Sequence, residues 1–436
     1  MEDRRLACEG ADSSAAPASK RAGYGAVLRD SRFVRLWIGQ SISNFGDALT
    51  RVALLVLVAE ATRSAAAISA VSAVQIVPMV AFGPFIGVLV DRWNRKAVMI
   101  ASDVLRGVIM LGVVFAPNLW TVYALAFLSA TASLFFMPAR TAVVPEIVGK
   151  ENYISATALA QVTYQAITLI GPAAAGAIAG LFGTRSAFLT DSITFFLSAF
   201  FTLTVRCPAI PVARERLTVG GFFKSFRQGI EFLAGNRVLR YLVVVFIIAV
   251  SALGFVTVLG PDYYLNILRM KPQAFGTLQS IQAIGMLVGA ALVGQYAAKL
   301  GRGRAILTGL AMMGAWSLAF VAKPGYLFLA PWGLLVGLAL STIQVPLSAV
   351  FVERTAVELR GRVFSVTNSL MNVSSLVGLG FGGVVARAFG TANCMGVCGT
   401  VVLAVAALAG RHPAYRELNG EVVTMQVGQG ATDVGA

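Results

Sequence analysis

Asp47 stands about 13 residues into the first long apolar stretch of the chain, roughly 20 Å deep at 1.5 Å of rise per helical residue. A charge at the centre of a membrane-spanning helix costs roughly 2.5–3.5 kcal/mol on insertion scales, so it needs a reason. Arg51 follows four residues later and shares the helix face. A carboxylate placed there can be neutral in one state and ionised in another, and so couple proton entry to another movement. Arg51 would favour its ionised form and could compete for a substrate anion. The plainer alternative is a self-neutralising structural pair one turn apart. Asp103 and Arg106 make a second pair, spaced i, i+3, for which the structural role is the better reading. Glu60 and Asp191 fall at outer edges of apolar stretches, where solvent reaches them, and are given no role. Asp262-Tyr263-Tyr264 closes another stretch on the outer side and could belong to a gate.

A second cluster lies in "GVLVDRWNRKAVMI" from Gly87. Asp91, Arg92, Asn94, Arg95 and Lys96 crowd between two apolar runs, behind Gly83 and Gly87. The glycines let one helix approach another closely, as small residues do in membranes. Asp91, at the membrane edge, can pair with a basic partner or cap a helix N-terminus. Arg140, just after Pro138, is the expected intrachain partner. Read as topology anchors alone, the basic residues leave Asp91 and the glycines unexplained. Further on, Gly171-Pro172-x-x-x-Gly176 frees a backbone carbonyl and permits close packing or an ordinary kink. Uncharged polar residues that could wall a cavity are Asn44, Gln75, Gln161, Tyr164 and Gln165, then Gln279, Gln282, Gln344, Asn368 and Asn372. Each could equally hold helices together.

Other chemistries find no footing. The one histidine, His412, follows the last apolar stretch, so a histidine metal site or a Ser-His-Asp triad is implausible. No GxxxxGK[ST] is present for ATP-driven work. Cys8, Cys207, Cys394 and Cys398 show no disulfide framework, and the last two read as small packing residues. No enzyme, metal or cofactor is expected.

The elements that must position these residues follow from composition. The 436 residues are 57% hydrophobic and 13% charged, against roughly 25% charged in an average soluble domain. Apolar stretches near the ~20 residues needed to cross a bilayer recur along the chain. Twelve spans are expected, near 34–60, 66–90, 97–116, 119–139, 154–182, 186–206, 239–267, 273–299, 303–322, 325–352, 363–386 and 391–410. The net charge of +15 does not indicate nucleic acid, because Lys and Arg recur in every second loop. The opposite loops and their flanks hold only Arg63, Arg185, Arg269, Lys271, Lys323 and Arg387. By the positive-inside rule both termini are cytoplasmic. Residues 1–32 and 412–436 read as disordered tails, and 207–238 as an amphipathic linker on the cytoplasmic surface. It divides six-helix bundles at 33–206 and 239–411. The halves echo each other: "GVLVDRWNRKAVMI" from Gly87 returns as "GQYAAKLGRGRAIL" from Gly294. "GPAAAGAIAG" from Gly171 returns as "GLGFGGVVAR" from Gly378, at the same 207-residue offset. Parallel repeats of this kind place a binding site at the interface of the halves.

The stretch from Gly87 to Lys96 resembles the loop 2–3 signature of the major facilitator superfamily, GxxxD(R/K)xG(R/K)(R/K). Asn94 replaces the usual glycine and, like it, tolerates a left-handed turn. "NFGDALTRVAL" from Asn44, "PARTAVVPEIV" from Pro138 and "ELRGRVFSV" from Glu358 are similar to the enterobactin-exporter and macrolide-efflux branch, and the glycine-proline motif to the GPxxGG of drug exporters. The resemblance spans about 30–410. It implies an all-α membrane protein of two six-helix pseudo-repeats, a cavity lined by the first span, a peripheral third span, and an Asp91 region that latches the outward-facing state. It also implies export of a hydrophobic or amphiphilic small molecule by rocking of the halves, with proton antiport carried by Asp47. Expected partners are that small molecule, protons and the lipid bilayer of the cell membrane, with the chain acting as a monomer. A siderophore or self-made natural-product exporter is the rival, and a non-transporting sensor a weaker one.

Overall fold

The computed structural model describes residues 23–90, 93–149, 151–206, 219–356 and 359–419. A short α1 (Tyr24–Arg29) leads into six long helices: α2 (Ser31–Thr62), α3 (Ala65–Val90), α4 (Arg95–Val114), α5 (Leu119–Val148), α6 (Tyr153–Phe182) and α7 (Thr184–Thr204). The bridging α8 (Val219–Gly235) precedes six more: α9 (Arg237–Asp262), α10 (Pro272–Leu300), α11 (Arg302–Ala319), α12 (Tyr326–Arg354), α13 (Arg360–Phe389) and α14 (Thr391–Ala409). A short α15 (Pro413–Leu418) closes the described chain. Among the described residues, twelve helices are long and apolar enough to span a bilayer. They coincide with the twelve expected spans to within a few residues, except that α5 runs on through Pro138 and Pro145 to Val148. Proline removes one donor from a helix but leaves the rest of the ladder intact, so it did not mark the end of the span.

Local chemistry sets the helix starts. Asp30, Asn94, Asn118 and Asn236 each accept a backbone N–H from the first turn that follows them. That satisfies donors a helix start leaves orphaned, which matters more where water is scarce. Gly183 and Gly390 join α6 to α7 and α13 to α14 with φ of 85° and 80°. Both need a left-handed backbone that glycine supplies, and they too are separated by the 207-residue offset.

The duplication is visible in the packing. A side chain at Gly171 of α6 would meet Ala48 of α2, and one at Gly378 of α13 would meet the Gly254–Phe255 backbone of α9. Each half thus crosses its first and fifth spans on small residues, as van der Waals-driven association in lipid requires. The two halves meet along α6–α10 and α3–α13. There, Gly176 lies against Pro272, Gly276 against the Pro172 carbonyl, and Gly383 against Ala66 and Ser69. Ala173 donates its N–H to Ser280 Oγ at 3.1 Å, and Arg387 reaches Ser64 Oγ at 3.2 Å. These contacts gather at the end of the bundle opposite the termini.

Two expectations about the margins change. Residues 24–29 are helical, and Gly23 donates to Asn152 Oδ1 at 3.4 Å, so order begins before residue 33. At the other end α15 packs on, with its cap His412 stacked on Tyr241 at 4.9 Å. Of the linker, 207–218 lies outside the described residues. The remainder is α8, which docks on α13 through Gly229 against Val366 and Arg362 Nη1 donating to Gln228 Oε1 at 2.6 Å. The rest of both tails also lies outside the described residues.

Candidate functional site

A cavity of about 490 Å³ opens between α2, α5 and α6 in the terminus-side half of the first bundle. The apolar periodicity of α2 buries one face against α7 and α6 and leaves Asn44, Asp47 and Arg51 along the cavity wall. Opposite them, α5 contributes Arg140, and α6 contributes Tyr153, Gln161 and Tyr164. Trp37 closes the lower wall and donates its indole N–H to Thr163 Oγ1 at 3.1 Å.

Asp47 is ion-paired, but not as its spacing suggested. Its partner is Arg106, which reaches across from α4 and donates to Asp47 Oδ1. No ion pair joins Asp47 to Arg51, whose side chain is exposed to the cavity. The i, i+4 relation allows contact but does not compel it, and a partner from a buried neighbouring helix prevails. The expected Asp103–Arg106 pair is likewise replaced. Asp103 is fully buried and accepts from Ser198 Oγ at 2.7 Å, with no ion pair to Arg106. Arg106 is 8% exposed and lies over the Phe195 ring, 4.1 Å from its centroid.

Asp191 overturns its expectation most completely. It is not solvent-reached but 0% exposed, accepting from Thr50 Oγ1 at 2.5 Å and from Thr194 Oγ1 at 3.1 Å. Gly46, one residue before Asp47, leaves the room: a side chain there would meet the Asp191 carboxylate and the Thr194 hydroxyl. Asp47, Asp103 and Asp191 thus lie within electrostatic reach of a single guanidinium, Arg106. No sequence pattern linked them, because they come from three different helices. The nearest signal was the cost of each charge in an apolar stretch.

The other candidates divide by location. Asn44, Gln161 and Tyr164 share the cavity wall with Asp47. Gln344 and Asn368 are exposed on α12 and α13, and Gln165 and Gln279 are half-buried. Gln75 is turned back to the Val71 carbonyl of its own helix at 3.2 Å. Gln282 sits where α10 meets Gly337 of α12. Asn372 reaches Met79 Sδ of α3 at 3.9 Å, across the halves. Gly171, Pro172 and Gly176 form the close crossing of α6 with α2 and α10.

Of the latch candidates, Asp91 and Arg92 lie outside the described residues, and Gly87 is within α3. Asn94 caps α4, accepting from Ala97 N–H at 3.1 Å, with φ −65° rather than the left-handed turn expected of it. Lys96 donates to the Leu203 and Val205 carbonyls at 2.8 and 2.7 Å, anchoring α4 to the C-terminal end of α7. Cations are favoured at that negative end. Arg95 opens α4. Arg140, expected in a loop, is within α5 and faces the cavity. In the second bundle, Arg302 at the start of α11 pairs with Glu353 near the end of α12, Nη2 to Oε1 at 2.7 Å. The Asp262 segment also gains definition: Asp262 is buried and accepts from Asn266 Nδ2 and Thr391 Oγ1, beside a π-helical turn at Tyr263–Ile267.

Twelve candidate spans among the described residues, in two halves with matching glycine crossings, are an architecture that secondary transporters share, and the family model described as Major Facilitator Superfamily matches residues 36–271 and 242–422. The chain belongs to the major facilitator superfamily, and it is a multi-pass membrane transporter rather than an enzyme. It groups with efflux proteins of that family. Macrolide efflux protein A of Streptococcus pyogenes is 26% identical over 86% of this chain and 94% of its own length. A provisionally assigned bacilysin exporter, BacE, of Bacillus amyloliquefaciens is 31% identical over 79% and 86%. Among solved structures, a bacterial homologue of the lysosomal transporter Spinster superposes with a TM-score of 0.72 at 14% identity, covering 89% of this chain and 97% of its own. A bacterial homologue of ferroportin gives 0.70, also at 14%, over 90% and 99%.

Proposed function

We propose that the chain exports a hydrophobic or amphiphilic small molecule across the cell membrane, in exchange for protons, by alternating access. The observation that carries this reading is the Asp47–Arg106 ion pair at the wall of a cavity on the terminus side, while the halves close on each other at the opposite end. Placing the termini in the cytoplasm, as the Lys and Arg distribution favours, makes this the conformer that loads cargo. Asp47 takes the proton. Neutralising it releases Arg106, and the pair re-forms when the proton leaves. The Asp91 region and Arg140 then latch the alternative conformer; the crossing of Pro172 and Gly176 with α10 is the surface that must part, while Gly171 holds α6 to α2 within the first bundle. The efflux names of the relatives support the direction of transport.

The 31% identity to an assigned bacilysin exporter favours, as a second reading, a dedicated exporter of one natural product. Both are tested in proteoliposomes holding a pH-sensitive dye, with an imposed pH gradient and a panel of amphiphilic drugs and catecholate siderophores. A compound that dissipates the gradient through the wild type and not through Asp47→Asn supports antiport and identifies a cargo class. Equal proton flux through the variant removes Asp47 from the coupling. Response to one compound class alone selects the dedicated exporter.

A further inference from the structure

The charge on the cavity wall is not balanced. Asp47 is the one carboxylate among the described residues that line it, and it is engaged by Arg106. Two further guanidinium groups, Arg51 and Arg140, line the same space, and neither has an acidic partner among the described residues. Along their helices Arg140 lies about 12 Å from the terminus-side end of α5, and Arg51 about 30 Å from that end of α2, at 1.5 Å per residue. They mark the mouth and the depth of one cavity. Between and around them stand Trp37, Tyr153 and Tyr164.

We infer that this cavity selects an amphiphile bearing an acidic head group, passed from Arg140 at the mouth to Arg51 at depth, with its apolar body against the aromatic wall. The inference rests on the transport reading for its purpose but not for its geometry. Guanidinium forks suit carboxylate-like acids in one plane. In a cleft flanked by low-dielectric protein, unbalanced positive charge concentrates anions and repels cations. A weak base as cargo would face two guanidinium groups that have no acidic partner among the described residues, and no further carboxylate among the described lining residues. The expected span ends at 139 and leaves Arg140 beyond it; the continuation of α5 past Pro138 brings Arg140 into the cavity wall.

Three probes with one fluorophore and different ends decide the matter: N-dansylglycine, N-dansylglycinamide and dansylethylenediamine, respectively anionic, neutral and cationic. Binding to the purified full-length chain in detergent micelles is followed by fluorescence anisotropy. The expected result is that dansylglycine binds at least about tenfold more tightly than the amide, the scale of one charge-assisted hydrogen bond. The amine should bind more weakly still. The preference should fall to about twofold or less in Arg51→Gln and in Arg140→Gln, and persist in Arg51→Lys and Arg140→Lys. Equal binding of the three probes by the wild type, tighter binding of the amine, no binding of any, or an unchanged preference in both glutamine variants overturns the inference. Should a glutamine variant fail to fold, the wild-type ranking and the lysine variants still decide. Because no flux is measured, acid preference without proton-linked transport would sink the transport reading alone. Proton-linked export of a cationic drug without acid preference would sink this one alone.

Discussion

At the scale of single residues, the first bundle is organised around buried charge that a short polar shell makes tolerable. Asp103 depends on Ser198, its one hydrogen-bond donor, and its other carboxylate oxygen has none. Removing that donor leaves a buried acid unsatisfied, which costs roughly 1–3 kcal/mol. Ser198→Ala should therefore lower the detergent-phase unfolding midpoint measurably, whereas Ser133→Ala, on a half-buried hydroxyl bonded within its own helix, should not. Gly46→Ala should cost roughly 1–3 kcal/mol by overpacking, since its methyl would collide with the Asp191 and Thr194 side chains. Thermal unfolding of the three variants in one detergent checks both expectations. Outside the membrane, the Arg32 side chain hydrogen-bonds Asp30 and holds its carboxyl below the usual range, although burial opposes this. A carboxylate with a depressed folded pKa stabilises at neutral pH and loses that contribution as pH falls through its folded value. Asp30→Ala should thus cost about 1 kcal/mol as a lost helix cap near pH 7. The difference from wild type should narrow in acid, in a melting series across pH.

At the scale of elements, close helix crossings are where the two halves touch. In the α6–α10 crossing the Ala173 N–H lies 3.1 Å from Ser280 Oγ. A cysteine pair, Ala173→Cys with Ser280→Cys in a background lacking the four native cysteines, should cross-link on mild oxidation. Cross-linked protein should keep probe binding at the terminus-side cavity and lose flux. Free flux after complete cross-linking would show that this crossing need not part. The π-helical turn at Tyr263–Ile267 belongs to the same end, beside buried Asp262, and π-turns often mark functional sites.

At the scale of the whole molecule, the closed end and the cavity end imply different access to water. A single cysteine at Gln161, exposed on α6 and lining the terminus-side cavity, should react with a membrane-impermeant maleimide added on the side that carries the termini, and not from the other. Equal labelling from both sides would contradict the single-sided opening. The duplicated packing of Gly171 on Ala48 and Gly378 on Gly254 also predicts comparable behaviour of the halves: bulky substitution at either glycine should impair assembly. Gly378→Leu, which meets backbone, should be the more damaging in expression and gel-filtration yield.

What the sequence by itself determined was whatever depends on neighbours along the chain. Hydropathy and length set the twelve spans, and a fixed offset between glycines exposed the duplication, because lipid demands long apolar helices and small crossing residues wherever they occur; loop charge supplied an expected orientation. Asp47, at the centre of the proposed site, was legible from its cost alone. Its partner was not. Arg51 lay one turn away and Arg106 lay 59 residues away on another helix, and only the packing of α2, α4 and α7 decided between them. Asp191 was misplaced for the same reason: hydropathy shows that a residue is near the end of an apolar run but not which way its side chain faces. Arg140 was missed as a cavity residue because proline was taken to end a helix that its neighbours hold together. Charge pairing over a few ångströms between separate helices is a property of the folded bundle, and no linear spacing encodes it.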